Sequence, residues 1–378
     1  MSLWRKIIVP VVLLPVVVIG GLALCSKNNI QSVAWAPAPA PSLDTGPYQR
    51  NDALAAITVH GRANLPQPES LALGPDGKLY TGLANGDIVR FSPSQLAMPG
   101  QADAVPLEMV VNTGGRPLGM TFHPEGFLVV ADGQRGLLKV DVAGLSTPST
   151  SVKVLASQFE GQTMRFVDDV AVTPDGQAAY FSDASTKYGM DAVVIDLLEH
   201  GGHGRLYRYD FATHQVSLVK DALNFVNGVT LSKAGDAVVF TETGSYWVHR
   251  HWIAGPKAGQ TEVLIDNLPG FPDNIRTDAQ GLHWVALPSS RDKLVDLLAP
   301  YPTIRNLVGH LLEVVSFPVN RTAMAVAVDD QGQVRANLQA LKADQYHYIT
   351  QVTPVGDQLF FSSVTVAGVA RMARPDIR

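Results

Sequence analysis

The sequence predicts an all-β fold, a six-bladed β-propeller with helical insertions, preceded by one N-terminal transmembrane helix. Three observations predict it. Short alternating apolar runs, at residues 78–83, 127–130 and 237–240 among others, read as half-buried strands. Glycine-containing turns separate them, and the turn glycines Gly77, Gly126, Gly176, Gly235 and Gly281 recur at about 50 residues, the length of a four-stranded blade. An unbroken apolar run over residues 7–24 opens the chain behind Arg5 and Lys6.

That first run is about long enough to cross a bilayer. The cations before it put the N-terminus in the cytoplasm and the rest outside. Residues 1–25 are therefore expected to be a signal anchor. Leu22-Ala23-Leu24-Cys25 also resembles a lipobox, so lipidation at Cys25 is the alternative. Residues 26–46 carry Ala36-Pro37-Ala38-Pro39-Ala40-Pro41, which favours an extended spacer and reads as a stalk. Residues 47–378 are left for the propeller. Cys25 is the one cysteine, so no intramolecular disulfide braces the fold. The formal net charge is −5, with both signs scattered, which excludes the basic stripe of a nucleic-acid binder.

Within the propeller, Pro75-Asp76-Gly77, Pro124-Glu125-Gly126 and Pro174-Asp175-Gly176 are turns with a mechanism: proline presets one dihedral and glycine supplies a positive φ. A sixth unit is expected around Gly356, and Gly332 is assigned to the outer hairpin of the fifth blade. Two stretches break the rhythm. Residues 191–203 are longer than a blade loop. Residues 291–315 place Leu294, Leu297, Leu298, Ile304, Leu307, Val308, Leu311 and Leu312 at partly helical spacing. Both read as helical insertions, either packed on a rim or forming an apolar lid or membrane-facing collar.

Eight residues before each turn glycine stand Glu69, Leu118, Asp168, Asn227 and Asp273. Equivalent positions of successive blades lie at equal height around the axis, at the start of the innermost strands. Asp or Asn at a strand start often caps a turn, but four oxygen-bearing side chains in one repeat register point to a hard cation such as calcium. Unfilled, the carboxylates would repel one another and lose solvation. Asn274 is expected as a further ligand, and Asp169 as a group that orients the set.

Pro68-Glu69-Ser70-Leu71, Arg116-Pro117-Leu118-Gly119, Phe166-Val167-Asp168-Asp169, Phe225-Val226-Asn227-Gly228-Val229 and Leu268-Pro269-Gly270-Phe271-Pro272-Asp273-Asn274-Ile275 resemble the markers of the strictosidine synthase-like, adipocyte plasma membrane-associated protein-like family. That family lies in the gluconolactonase/regucalcin and paraoxonase superfamily. The segment Trp252-Ile253-Ala254-Gly255-Pro256 adds to the match, which runs from about Pro66 to the C-terminus. The resemblance implies a six-bladed propeller, a central calcium held by Glu69, Asp168, Asn227 and Asp273, and esterase or lactonase activity. Asp168 stands where the family usually has asparagine. Strictosidine synthase uses a glutamate near residues 349–352, and none is present there. Paraoxonases use histidines where Leu118 and, nearby, Ala131 stand. The aspartate of their second calcium site is replaced by Ser70.

The expected activity is calcium-dependent hydrolysis of lactones or aryl esters, and the resemblance to gluconolactonases implies that Asp273 both binds the ion and activates water. The apolar insertions suggest a small lipophilic ester or lactone. The alternatives are a non-catalytic membrane-tethered propeller with structural calcium, and a strictosidine synthase-type enzyme. His200, His203 and His310 lie in the insertions, where solvated loop histidines are the ordinary reading and a general base the other. His249 and His251, in an alternating strand, are expected at the surface. The absence of disulfides and the short leader suggest a bacterial periplasm, and a type II membrane protein of a eukaryote would carry the same pattern.

Overall fold

The computed structural model describes residues 29–97, 103–142, 151–312, 321–340, 342 and 346–377. The anchor expected over residues 1–25, with Cys25, lies outside these residues. Among the described residues no helix is long and apolar enough to cross a membrane.

Six four-stranded antiparallel sheets follow one another along the chain. From the axis outward, blade one holds Ala72–Leu73, Leu79–Gly82, Asp87–Phe91 and Glu108–Asn112. Blade two holds Pro117–Phe122, Leu128–Asp132, Gly136–Val140 and Val152–Ala156. Blade three holds Val167–Val172, Ala178–Asp183, Gly204–Asp210 and Gln215–Leu223, and blade four Val226–Leu231, Ala237–Glu242, Trp247–Trp252 and Thr261–Ile265. Blade five holds Ile275–Thr277, His283–Ala286, Met324–Val328 and Val334–Gln339. Blade six takes Ile349–Val355, Gln358–Ser363 and Val369–Ala373 from the C-terminal end, and its outermost strand, Thr58–His60, from the N-terminal end. Thr58 pairs with Arg371 and His60 with Val369. This shared blade closes the ring without a covalent link.

The turn glycines Gly77, Gly126, Gly176, Gly235 and Gly281 adopt φ of +74, +88, +70, +71 and +92°, the region that side chains resist. Gly332 turns the outer hairpin of blade five, as expected, and Gly356 the inner hairpin of blade six. Stability comes from between the blades. Each of the six gaps carries its own apolar cluster: Tyr80 with Val130 between blades one and two, Val129 with Phe181 between two and three, Tyr180 with Phe240 between three and four. Val239 meets Val285 between four and five, Trp284 meets Ile349 between five and six, and Phe360 meets Leu79 between six and one. Each fully buried side chain of this kind contributes about 1.5–3 kcal/mol, so packing between blades and strand pairing within blade six hold the ring with no disulfide.

Both insertions are helical. Helix α1 (Val193–Glu199) follows the second strand of blade three; α2 (Lys293–Leu298) and α3 (Pro302–Leu312) follow the second strand of blade five. Second strands run back toward the end where the innermost strands begin, so all three helices stand on that face, opposite the glycine turns. Ile195 and Leu198 of α1 pack in one cluster with Val308 and Leu312 of α3. The two insertions thus form one cap.

Residues 29–46 are not a free-standing stalk. They run as a strap over this cap and the adjoining blades. Val33 N–H donates to Glu199 O at 2.8 Å and Trp35 N–H to Ala299 O at 3.3 Å. Arg291 donates to Ala38 O at 2.8 Å and Asn267 to Pro39 O at 3.0 Å. Trp35 stacks on His200 with centroids 4.0 Å apart, and Tyr48 enters the core between blades four and five. An Ala-Pro stretch has no internal hydrogen bonds. Its carbonyls are open acceptors, and side-chain donors of the propeller take them.

Candidate functional site

The residues predicted to ring the axis all stand where innermost strands begin, and local backbone irregularity aims several of them. Val167 pairs with Asp183 and Val170 with Phe181, so Asp168 and Asp169 together face Ser182 alone. Asn227 and Gly228 likewise face Thr241, and Leu118 and Gly119 face Ala131. Such a bulge turns a side chain out of the regular alternation. The second bulge residue is glycine in blades two and four because the next blade is in contact. A Cβ on Gly119 would meet the Cα of Asp169 at 2.6 Å, and one on Gly228 the backbone N of Ile275 at 2.5 Å.

Two belts of side chains hold the ring. The first is made of hydroxyls on the second strands. Ser182 Oγ accepts from Asp169 N–H at 3.0 Å and donates to Asn227 O, in the next blade, at 2.6 Å. Thr241 Oγ1 accepts from Gly228 N–H and donates to Asp273 O, both at 2.8 Å. Ser362 Oγ donates to Glu69 O at 2.6 Å, carrying the pattern across the ring closure. The second belt is acidic: Asp132 accepts from Arg116 N–H at 3.0 Å, and Asp183 and Glu242 accept from Phe166 and Asn224 N–H at 2.8 Å. Sequence reasoning missed both belts. Their signal was present, since Ser182-Asp183 and Thr241-Glu242 begin fourteen residues after the ring position of their blades.

Glu69, Asp168, Asn227 and Asn274 are buried, and Asp273 is half-buried. Asn274 Nδ2 donates to Glu69 Oε1, and the Asn227 amide donates to the Asp273 carboxyl. Three buried oxygens, Glu69 Oε2, Asn227 Oδ1 and Asn274 Oδ1, have no hydrogen-bond partner. Burial, then the Asp169 charge, pushes Glu69 up to about 7 against the pull of Arg116, Asn274 and Arg276. Burial, then the Glu69 charge, raises Asp168 and Asp273 well above the carboxylate range. The three acids are thus one repelling set in a low-dielectric patch. Among the described residues no group of three His, Cys, Asp or Glu side chains is placed to hold a metal ion. The unpartnered oxygens come from one carboxylate and two amides.

Asp169 faces away from this set. It is fully buried, accepts from Val229 N–H at 2.8 Å and takes both terminal nitrogens of Arg276 at 2.6 and 2.9 Å. Leu118, at the ring position of blade two, joins Phe166, Ala184 and Phe225 in an apolar cluster, with Met190, Val193 and Leu197 of the first insertion against it. One side of the ring is therefore walled by hydrocarbon.

The histidines divide. His203 Nε2 pairs with Glu199 Oε1 at 2.7 Å, and burial lowers His200 to about 4 beneath the Trp35 ring. His249 is buried rather than at the surface: its Nε2 meets Glu242 Oε2 at 2.6 Å and its ring stacks on Phe240. A strand residue facing a neighbouring inner strand looks identical, in sequence, to one facing solvent. Near residues 349–352, Gln351 is fully buried and gives its Nε2 to Leu71 O at 2.7 Å.

Known proteins bear on this architecture. The strictosidine synthase family profile matches residues 168–256, and the N-terminal profile of strictosidine synthase-like proteins matches residues 46–91. Adipocyte plasma membrane-associated protein of Rattus norvegicus is 31% identical over 348 residues, spanning 89% of this chain and 91% of that protein. Among solved structures, a gluconolactonase of Xanthomonas campestris superposes with a TM-score of 0.58 at 14% identity, over 92% of this chain and 99% of that one. The calcium-binding protein regucalcin of Agrobacterium tumefaciens does so at 0.55 and 14%, over 85% and 96%. These two likenesses concern the fold. The rat relative spans nearly the whole of both chains, and with the profile matches it shows that the chain belongs to the strictosidine synthase-like family.

Proposed function

We propose that this chain is a calcium-dependent hydrolase of lactones or aryl esters, with Glu69, Asp168, Asn227, Asp273 and Asn274 as its metal ligands. The observation that carries the reading is the trio of buried, unpartnered oxygens on Glu69, Asn227 and Asn274, set among acids whose charges repel. Oxygen donors of this kind suit a hard cation that relieves both costs. The names of the gluconolactonase and of the calcium-binding regucalcin support the same reading.

Calcium, when bound, supplies positive charge for the substrate carbonyl oxygen. Asp273 is the base. One carboxylate oxygen accepts the proton of a water that adds to the carbonyl carbon, and that proton passes to the departing oxygen as the C–O bond breaks. Its partial exposure gives it access that the other acids lack. Asn227 orients it through the amide hydrogen bond. Leu118, Phe166 and Phe225 favour the hydrocarbon part of a lipophilic ester or lactone. We further propose that residues 7–24 tether the enzyme to a membrane, as the name of the rat relative supports.

The second reading is a tethered propeller in which calcium only braces the blades. Leu118 and Gln351 favour it, because they hold apolar or amide groups where relatives use chemistry. Gln351 also leaves a strictosidine-type condensation without its acid. The deciding experiment is hydrolysis of a panel of lactones and aryl esters, with calcium and with chelator. Turnover that calcium restores and that Asp273→Asn abolishes, with melting unchanged, supports the hydrolase. No turnover alongside a calcium-dependent rise in melting temperature supports the brace.

A further inference from the structure

Helices α2 and α3 carry apolar side chains on both faces: Val295, Val308 and Leu312 pack inward, and a second set does not. Leu294, Leu297, Tyr301, Ile304, Leu307 and Leu311 point outward, with Leu297 66% and Leu294 59% exposed. Inward, Arg305 is 1% exposed and gives its guanidinium to Val33 O and Glu199 O. A surface helix ordinarily buries its leucines and exposes its cations. Six large apolar side chains turned out along one helical pair make a patch rather than scattered exposure, and such patches mark docking surfaces.

The occupant follows from where the chain leads. Ile30 lies against this same cap: a Cβ on Gly309 of α3 would come 2.5 Å from Ile30 Cδ1. The apolar run of residues 7–24 ends six positions before Ile30. Six residues span at most about 20 Å, so any bilayer that takes up this run lies within that reach of α3. The patch stands on the face of the propeller where the ring residues begin, not on the face of the glycine turns.

We propose that the α2–α3 face docks on the lipid bilayer, seating the propeller with its ring-bearing face toward the membrane. This rests on the reading of residues 7–24 as the tether and goes beyond it, since a tether alone leaves the domain free to tumble. Docked, the apolar wall at Leu118, Phe166 and Phe225 faces the phase that dissolves a lipophilic substrate.

The test uses the full chain carrying Cys25→Ser, reconstituted in phosphatidylcholine vesicles, with an environment-sensitive fluorophore on Leu297→Cys. Glu125→Cys, in an exposed turn of the opposite face, is the control. The expected result is a blue-shifted Leu297 probe quenched by nitroxide-labelled lipid, with the Glu125 probe unaffected. Adding Leu294→Asp, with the probe moved to Ile304→Cys, should return that emission to its value in buffer while melting is unchanged. Co-flotation with vesicles but a solvent-like, unquenched Leu297 probe overturns docking and leaves the tether standing. Absence of co-flotation overturns both. A blue shift that lipid quenchers do not touch, but that grows with protein density, assigns the face to a second copy of the chain and overturns the bilayer.

Discussion

Arg276 grips Asp169 with both terminal nitrogens, at 2.6 and 2.9 Å, across 107 residues of chain. The pair joins blade five to blade three, and Val229 N–H of blade four donates to the same carboxylate at 2.8 Å. Three blades are thereby locked beside the residues that face the axis. Removing one partner of a buried pair leaves an uncompensated charge, at about 3–5 kcal/mol. Arg276→Ala should lower stability by that order in urea unfolding, whereas Asp169→Asn with Arg276→Met should recover most of the loss.

Asp168 sits in a buried patch with Glu69 and Asp273, and burial together with their charges raises its carboxyl well above its ordinary value of 3.8. A carboxyl raised on folding destabilises the native state once the pH exceeds the unfolded value, and increasingly so up to the folded one. Asp168→Asn should therefore raise the melting temperature in chelator by a few degrees at pH 8 and change it little near pH 4. In calcium the proposed site requires the order to reverse, because the charge of one proposed ligand is gone. Calorimetry at the two pH values, with and without calcium, separates the cases. An Asp168→Asn protein less stable in chelator at pH 8 contradicts the repelling set.

Glu199 fastens the strap. Burial works against its charge, but His203, Lys187, Tyr188 and the Gln31 N–H outweigh it and hold the carboxyl at about 2. Lys187 Nζ lies at 2.7 and 2.8 Å and Gln31 N at 3.0 Å. A carboxyl depressed on folding stabilises fully above its ordinary value of 4.5 and ceases to do so as pH falls toward 2. The strap should stay fastened at pH 5 and loosen near pH 2. Glu199→Gln should speed exchange of the Gln31 amide at neutral pH and cost about 3 kcal/mol, with the amides of blades one and two unaffected. Equal exchange in both proteins would remove Glu199 from this role.

Gly228 marks a close backbone approach of blades four and five beside the ring. A Cβ there would stand 2.5 Å from Ile275 N and 2.6 Å from Asn274 Cα, and backbone cannot step aside as a flexible side chain can. Gly228→Ala should cost about 1–3 kcal/mol and spread Asn227 from Asn274. The expected outcome is a lower melting temperature together with weaker calcium binding by titration calorimetry. Gly77→Ala, in open space at φ +74°, should lower stability alone.

The repeat was legible in the sequence because each blade turns its inner hairpin on a positive-φ glycine. That constraint is local, so Gly77, Gly126, Gly176, Gly235 and Gly281 announced the blades, and Glu69, Asp168, Asn227 and Asp273 stand eight residues before four of them. Apolar spacing announced the helices of the second insertion for the same reason. Tertiary structure alone decided that Thr58–His60 completes blade six, that two insertions about a hundred residues apart form one cap, and that the Ala-Pro stretch is a strap. It also decided that His249 turns inward to Glu242 and that Ser182, Thr241 and Ser362 reach into the next blade. These are pairings between distant segments, set by which donor meets which open acceptor when the ring closes, and no window along the chain contains both partners.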